Sequence, residues 1–326
     1  MVDPNTAMET AKEGAVALTK FQEIVQKIFG PRWTRKQADA DAYADQQKLA
    51  TIRDNPDMEI MFVDGKMHAR QRTPEELLQQ AQYRMLEENI RQERNLENIV
   101  GIASCELLHY DSQNVSNRPV NEDWITRLFS IAKDINSEEM QYVWGKILAG
   151  EIVAPNSFSF RTLDTLRNIS EDEARLFQKI LPLVVKGGDD YFLTSNGDIL
   201  QKYDISYSDI LTLDECGLVN AIGTMVMENV VPENAKITYR TDEHGIIIEN
   251  KSAIEKRISF GIYSLTRVGI ELFQILSYTP NTNYLLDFAD KIRNENENVD
   301  VIMSVNKIKG IDGRKIAYEP NPIATF

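Results

Sequence analysis

Hydrophobic residues recur at three- and four-residue spacing through the first half of the chain, which predicts a succession of helices. In the N-terminal region, residues 1–110, these helices cover 7–29, 34–54 and Pro74 to about Leu108. Thr73 and Glu76 have the spacing of a capping box at the start of the third helix. Its middle, residues 87–98, is very polar between apolar ends, which is typical of a helix that spans two packing partners or two subunits. The segment 58–70 predicts either a small hairpin or a connecting loop.

The second region, residues 121–185, contains four helix starts in a short stretch, and we expect it to form a compact helical bundle. The capping residues are Asn121 or Asp123, Ser137, Ser157 or Ser159, and Ser170. The helix after Ser137 carries its apolar residues at helical spacing. They are Met140, Val143, Trp144, Ile147 and Leu148.

After Pro182 the pattern changes to short apolar runs between turns, which predicts strands mixed with helices. In the third region, residues 186–280, strands are predicted at 191–194, 236–240, 245–250 and 257–263, and helices at 206–219 and after Leu265. The tail, residues 281–326, is expected to contain a short helix at 284–292 and a hairpin around 310–313.

The block 206–276 resembles a winged-helix layout, with a helix that ends at Gly217, strands that follow as a wing, and a helix start at Thr266. The helix before Gly217 would repel phosphate, because it carries acidic residues and no Lys or Arg. These acidic residues are Asp209, Asp214 and Glu215. The predicted fold class is therefore a mainly α N-terminal and central helical bundle with a C-terminal α+β winged-helix-like region, used for protein contact.

Composition narrows the classes of partner. The chain has 326 residues, a net charge of −14 and a sequence pI near 4.8. Both halves are acidic, which disfavours nucleic acid and anionic membranes as partners. No apolar run reaches the length of a membrane span, and the two separated cysteines, Cys105 and Cys216, fit a reducing compartment. We expect a cytoplasmic protein without a membrane span.

A signature that begins at Trp144 resembles a known family. Its residues are Trp144, Ile147-Leu148-Ala149, Glu151, Pro155, Ser157, Ser159, Arg161-Thr162-Leu163 and Glu173-Ala174-Arg175-Leu176-Phe177. This pattern resembles an uncharacterised bacterial family, domain of unknown function 2806. It is also distantly similar to the Trp-plus-Leu-Ala region of abortive-infection proteins, and this similarity implies a role in phage defence by analogy alone.

We assign a structural role to four signature residues, Trp144, Glu151, Ser159 and Arg161. Glu151 and Arg161 flank the turn at Pro155, where we expect a hydrogen-bonded ion pair that sets the angle between two helices. The alternative is that this pair binds a small anion. A second candidate for anion contact is the cationic segment near the N-terminus, which would otherwise complement a helix C-terminus. It consists of Arg32, Arg35 and Lys36.

One constellation has the residue types of a catalytic site. Glu249 and Lys251 follow an apolar strand and Asp242 lies upstream, as in metal-dependent nucleases that place acidic residues and a lysine around Mg²⁺. The alternative is a strand that ends in an ordinary exposed turn. The sequence contains no Gly-rich phosphate loop, nucleophile elbow or zinc-ligand spacing.

The sequence therefore favours a non-enzymatic cytoplasmic protein, without metal or cofactor, that acts through self-association and contacts with an unidentified protein partner. We expect it to be a homo-oligomer and a sensor or effector in bacterial phage defence. The alternative is a Mg-dependent nuclease or nucleic-acid-binding protein that uses the C-terminal region, in which a local basic patch would have to offset the acidic balance.

Overall fold

The chain divides into two compact units. The computed structural model describes residues 20, 21, 23, 24, 58–63, 66–71, 73–110, 115–312 and 315–326. The N-terminal unit is Met1–Ser157 and the C-terminal unit is Phe158–Phe326. The four regions expected from the sequence do not coincide with these units, and their boundaries stay predictions. Among the described residues, no helix is long and apolar enough to cross a membrane.

The N-terminal unit is a hairpin followed by helices. Its elements are β1 (Met58–Val63), β2 (Lys66–Gln71), α1 (Pro74–Leu107), α2 (Glu122–Ala132) and α3 (Glu138–Val153). β1 pairs with β2 in antiparallel register, so the segment 58–70 forms a hairpin and not a plain loop. The predicted helices 7–29 and 34–54 lie almost entirely outside the described residues.

The helix starts in this unit are set by local side chains, as the sequence predicts. At α1, the Thr73 hydroxyl accepts a hydrogen bond from the Glu76 amide at 3.2 Å, and the Glu76 carboxylate accepts one from the Thr73 amide at 3.1 Å. Asn121 caps α2 and Ser137 caps α3 in the same manner. Each of these caps satisfies an N–H group that would otherwise have no partner in the helix.

α1 and α3 pack closely because a glycine lies at their contact. A Cβ atom on Gly145 would lie 2.5 Å from Ile102 Cγ2, so only glycine permits this separation. The packed side chains are buried on both helices, and the apolar stripe predicted for α3 is confirmed. They include Ile99, Ala103, Leu107, Met140, Val143, Trp144, Ile147 and Leu148.

The C-terminal unit combines helices with a large sheet. Its helices are α4 (Phe160–Asn168), α5 (Glu171–Ile180), α6 (Gly197–Lys202), α7 (Tyr207–Glu215), α8 (Arg267–Phe273) and α9 (Thr282–Glu295). Its strands are β3 (Val185–Gly187), β4 (Asp190–Thr194), β5 (Val219–Val231), β6 (Ala235–Arg240), β7 (His244–Asn250), β8 (Lys256–Leu265), β9 (Ile302–Asp312), β10 (Lys315–Tyr318) and β11 (Ala324–Thr325). The strand order is β10-β9-β7-β6-β3-β4-β8-β5, with β11 also paired to β9. All of these pairings are antiparallel.

One face of this sheet packs against α9 through aromatic side chains. Phe288 of α9 contacts Phe260 of β8 and Phe192 of β4, with ring centroids 5.5 and 6.3 Å apart. Tyr239 of β6 completes the cluster at 5.2 Å from Phe260. Side chains alternate between faces along a strand, so the next residues, such as Arg240, project from the opposite face.

The predicted winged-helix-like region is wrong. The strands interpreted as a wing are β6, β7 and β8, and they belong to the nine-stranded sheet. β6 pairs with β3, and β7 pairs with β9 of the tail, so their partners come from outside the block 206–276. The long strand β5 follows α7 directly and was not predicted. A wing is a small hairpin, whereas this sheet is the core of the whole unit.

Candidate functional site

The signature residues of the C-terminal unit form a closed structural cluster. Ser159 caps α4, and its amide and hydroxyl both donate to Glu271 Oε2, at 2.8 and 3.2 Å. The Thr162 hydroxyl donates to the same oxygen. Arg267 Nε donates to the other carboxylate oxygen at 2.8 Å. Because Glu271 is buried and these donors satisfy it, the cluster fixes α4 against α8.

Sequence reasoning missed Glu271. The only signal was an acidic residue inside an apolar run, between Ile270 and Leu272. Such a position is unusual because a buried carboxylate needs donors close to it. The sequence gives no indication that Ser159 and Thr162 are those donors.

The signature residues of the N-terminal unit also lie in the core. Trp144 is fully buried on α3, and Glu151 is buried at the end of the same helix. The Glu151 carboxylate accepts a hydrogen bond from the Asn156 amide at 2.6 Å, where Asn156 has a positive φ of 74°. Glu151 therefore stabilises the turn that follows α3. Arg161 is exposed near the start of α4 in the other unit, and its ion pair with Glu151 stays a prediction.

The structure does not bring the catalytic candidates together. Asp242 lies in the turn between β6 and β7, whereas Glu249 pairs with Lys236 at the far end of this hairpin. Each strand residue advances about 3.3 Å, so about 13 Å of strand separates Gly245 from Glu249. Glu249 forms an ion pair with Lys236 at 3.4 Å. The described residues contain no group of three or more His, Cys, Asp or Glu side chains that could hold a metal ion.

Asp242 instead lines a cavity on the sheet face opposite α9. This cavity has a volume of about 450 Å³, within the usual range for small-molecule sites. Its lining includes Lys186, Tyr191, Arg240, Asp242, Phe273 and Tyr278. The Asp242 carboxylate accepts a hydrogen bond from the Tyr278 hydroxyl at 2.8 Å and lies 3.7 Å from Arg240 Nη1. Burial, reinforced by this hydrogen bond, raises the pKa of Tyr278, so its phenol stays protonated.

A second candidate site is the first half of α1, where the helix surface is exposed. All residues from Tyr83 to Arg91 are exposed, although four of their side chains are large and apolar, and all of these except Met85 lie at heptad-like spacing. We call this set the α1 stripe, and it consists of Tyr83, Leu86 and Ile90. The remaining candidates for anion contact, Arg32, Arg35 and Lys36, lie outside the described residues.

The comparisons with known proteins identify a family. The family model described as protein of unknown function (DUF2806) matches residues 79–289. This match covers more than half of the chain, and the chain belongs to this family. No curated protein and no solved structure matches it. The family resemblance of the Trp144 signature is thus confirmed, whereas no comparison supports a similarity to abortive-infection proteins.

Proposed function

We propose that this member of the DUF2806 family is a non-enzymatic protein that acts through self-association, and that two copies meet at the α1 stripe. The observation that supports this proposal is the exposure of the stripe. Tyr83, Leu86 and Ile90 are 62%, 57% and 51% exposed on one helix. Isolated apolar residues on a surface are normal, but a contiguous set on one helix face marks a contact site.

The spacing of the stripe suits a partner helix. Residues three and seven positions apart lie on the same side of an α-helix, so Tyr83, Leu86 and Ile90 form one continuous seam. The Tyr83 hydroxyl is hydrogen-bonded to Glu87, which raises the pKa of Tyr83 and keeps the phenol neutral. The three side chains of the stripe are therefore uncharged, and the Glu87 carboxylate lies beside Tyr83.

The charges beside the stripe favour a second copy over another partner. Between Tyr83 and Arg94 the helix carries three basic and three acidic residues, although the whole chain has a net charge of −14. They are Arg84, Glu87, Glu88, Arg91, Glu93 and Arg94. A balanced segment reduces the repulsion between two acidic chains at the place where they would meet.

Sedimentation equilibrium of the full chain tests this proposal. The stripe is small, so we expect a weak dimer with a dissociation constant near the micromolar range. The double substitution Leu86→Gln and Ile90→Gln keeps helix propensity but removes apolar area. Burial of one such side chain contributes about 1.5–3 kcal/mol, so the double variant should weaken dimerisation by about 100-fold or more.

The control is Ile254→Gln, because Ile254 is equally exposed, at 65%, but lies on the C-terminal unit. It should leave the dimer unchanged. A chain that is monomeric at about 100 μM would remove the proposal, and so would equal weakening by the control. The cytoplasmic location, the protein partner and the role in phage defence stay predictions from the sequence.

A further inference from the structure

The cavity on the sheet face opposite α9 places two cations beside each other. Lys186 of β3 and Arg240 of β6 are directly opposed partners in antiparallel strands, so both side chains project from the same face. Like charges in such a pair destabilise a sheet. Tyr191 of β4 is the partner of Lys186 on its other side. The row Tyr191–Lys186–Arg240 therefore crosses three strands along the base of the cavity.

The protein offsets this positive charge only in part. Arg240 has a side chain that is 18% exposed, and its nearest carboxylate, Asp242, is 3.7 Å away and 69% exposed. The Lys186 ammonium lies 4.9 Å from the centre of the Tyr191 ring, and no ion pair joins it to a described carboxylate. Two cations thus face one carboxylate, and that carboxylate also accepts from Tyr278. An anion in the cavity would relieve the imbalance.

Arg240 also has donors directed to no described carboxylate. Its contacts to Asp242 and to the Thr241 carbonyl are both made by Nη1. A guanidinium carries five N–H donors, and its planar fork suits the oxygens of phosphate or carboxylate. Nε and Nη2 can therefore bind an anion while Nη1 keeps its contacts.

The cavity wall beside these cations is aromatic. Phe273, at the end of α8, contacts Tyr191 and Tyr278 with ring centroids 5.2 and 4.7 Å away. Tyr191 and Tyr278 are half-buried and Phe273 is buried behind them. Aromatic side chains of this kind stack with planar heterocycles, and the stacking tolerates any base because every base has a π-face.

We propose that this cavity binds a nucleoside monophosphate. The phosphate lies between Lys186 and Arg240, and the base stacks on Tyr191 and Tyr278, which Phe273 supports from behind. A phosphate offers oxygens to both cations, and a cavity of about 450 Å³ accommodates a ligand of this size. The site lies wholly within the C-terminal unit and does not depend on the α1 stripe.

Isothermal titration calorimetry of the full chain tests this site with the four ribonucleoside 5′-monophosphates, inorganic phosphate and adenosine. We expect the monophosphates to bind, and phosphate or adenosine alone to bind about 10-fold or more weakly, because each offers only half of the contacts. Arg240→Gln and Lys186→Met should each weaken binding by about 10-fold or more, since each removes a charged hydrogen bond.

Two matched variants control for charge and fold. Lys236→Met removes a lysine of β6 that pairs with Glu249, and Arg257→Gln removes an exposed arginine of β8. Both should leave affinity unchanged, and circular dichroism should show native spectra for all four variants. Absence of binding by all four monophosphates would overturn the proposal. If inorganic phosphate bound with equal affinity, the aromatic side chains would contribute nothing and the ligand would not be a nucleotide. If the control variants lost as much affinity as Arg240→Gln and Lys186→Met, binding would be a general charge attraction and not a specific site.

Discussion

The polar side chains of the two units differ in how far their hydrogen-bonding groups and charges are satisfied within the protein. In the N-terminal unit, the polar residues between α1 and α3 are neutral amides that satisfy one another. Gln141 Nε2 donates to Asn95 Oδ1 at 3.0 Å, and Asn95 Nδ2 donates to Asn136 Oδ1 at 3.1 Å. In the C-terminal unit, Lys186 and Arg240 are charged neighbours that face a cavity. We call the first arrangement closed, because the amides bond to one another, and the second open, because the charged side chains face a cavity.

This difference separates structural polar residues from candidate binding residues. A buried amide whose donors and acceptors are all used stabilises the fold and has nothing left for a ligand. Glu271 shows that charge alone does not decide the matter, because Ser159 and Arg267 satisfy its carboxylate. The informative feature is therefore an incompletely satisfied charge beside empty space, and not a buried polar residue as such.

The largest expected effect is the loss of the closed network. Asn95→Leu removes an amide that donates to the Lys133 carbonyl and to Asn136, and that accepts from Gln141. Gln141 is buried and loses the acceptor of one of its hydrogen bonds, so we expect the free energy of unfolding to fall by about 2 kcal/mol. Thermal and urea unfolding monitored by circular dichroism measure the change.

Asn98→Leu is the matched control on the same helix. Asn98 is exposed and makes one contact, to Gln141 Oε1 at 3.1 Å. Its replacement should cost about 1 kcal/mol or less. If both variants lost the same stability, the closed network would not be what distinguishes the N-terminal unit.

The sequence predicts the local part of this comparison well. Capping residues such as Thr73, Ser137 and Ser170 act on amides two or three positions away, so a short window of sequence is sufficient. The strands β6, β7 and β8 were also predicted, because apolar residues recur in them, in alternation or in a run, between turns. These elements contain the information for their own formation.

Strand pairing is the part that could not be predicted. β5 was missed because Gly223 and Glu228 interrupt its apolar residues, and the strand is held by its partner β8. Lys186 and Arg240 meet only because β3 pairs with β6, which are far apart along the chain. The sequence singles out Asp242 as a catalytic candidate, but it does not predict that Lys186 and Arg240 lie beside this residue.

A smaller change in the free energy of unfolding, of opposite sign, is expected for the open arrangement of Lys186 and Arg240. Lys186→Met removes one of two like charges on paired strands, so the free energy of unfolding should stay unchanged or rise by up to about 0.5 kcal/mol. Lys236→Met removes an ion pair whose carboxylate is 28% exposed, and it should cost about 0.5 kcal/mol or less. A clear loss of stability for Lys186→Met in thermal unfolding would mean that Lys186 is a structural residue.

The smallest difference concerns the two cysteines, one in each unit. Cys105 is exposed on α1, whereas Cys216 is half-buried after α7. Burial, together with a hydrogen bond to Glu173, raises the pKa of Cys216 to about 11. The thiolate is the reactive form, so at about pH 8 we expect iodoacetamide to modify Cys216 about 10-fold more slowly than Cys105. Modification of Cys216 should speed up as the pH rises towards 11, because the folded protein then loses the thiol proton.

Mass spectrometry of tryptic peptides measures both rates in one sample. In concentrated urea the environment of Cys216 is lost, and the two rates should become similar. Glu173→Gln should speed up the native reaction only modestly, because burial is the larger cause of the raised pKa. Equal native rates would show that Cys216 is as accessible as Cys105, and the packing of α5 against α7 around it would then be looser than the structure indicates.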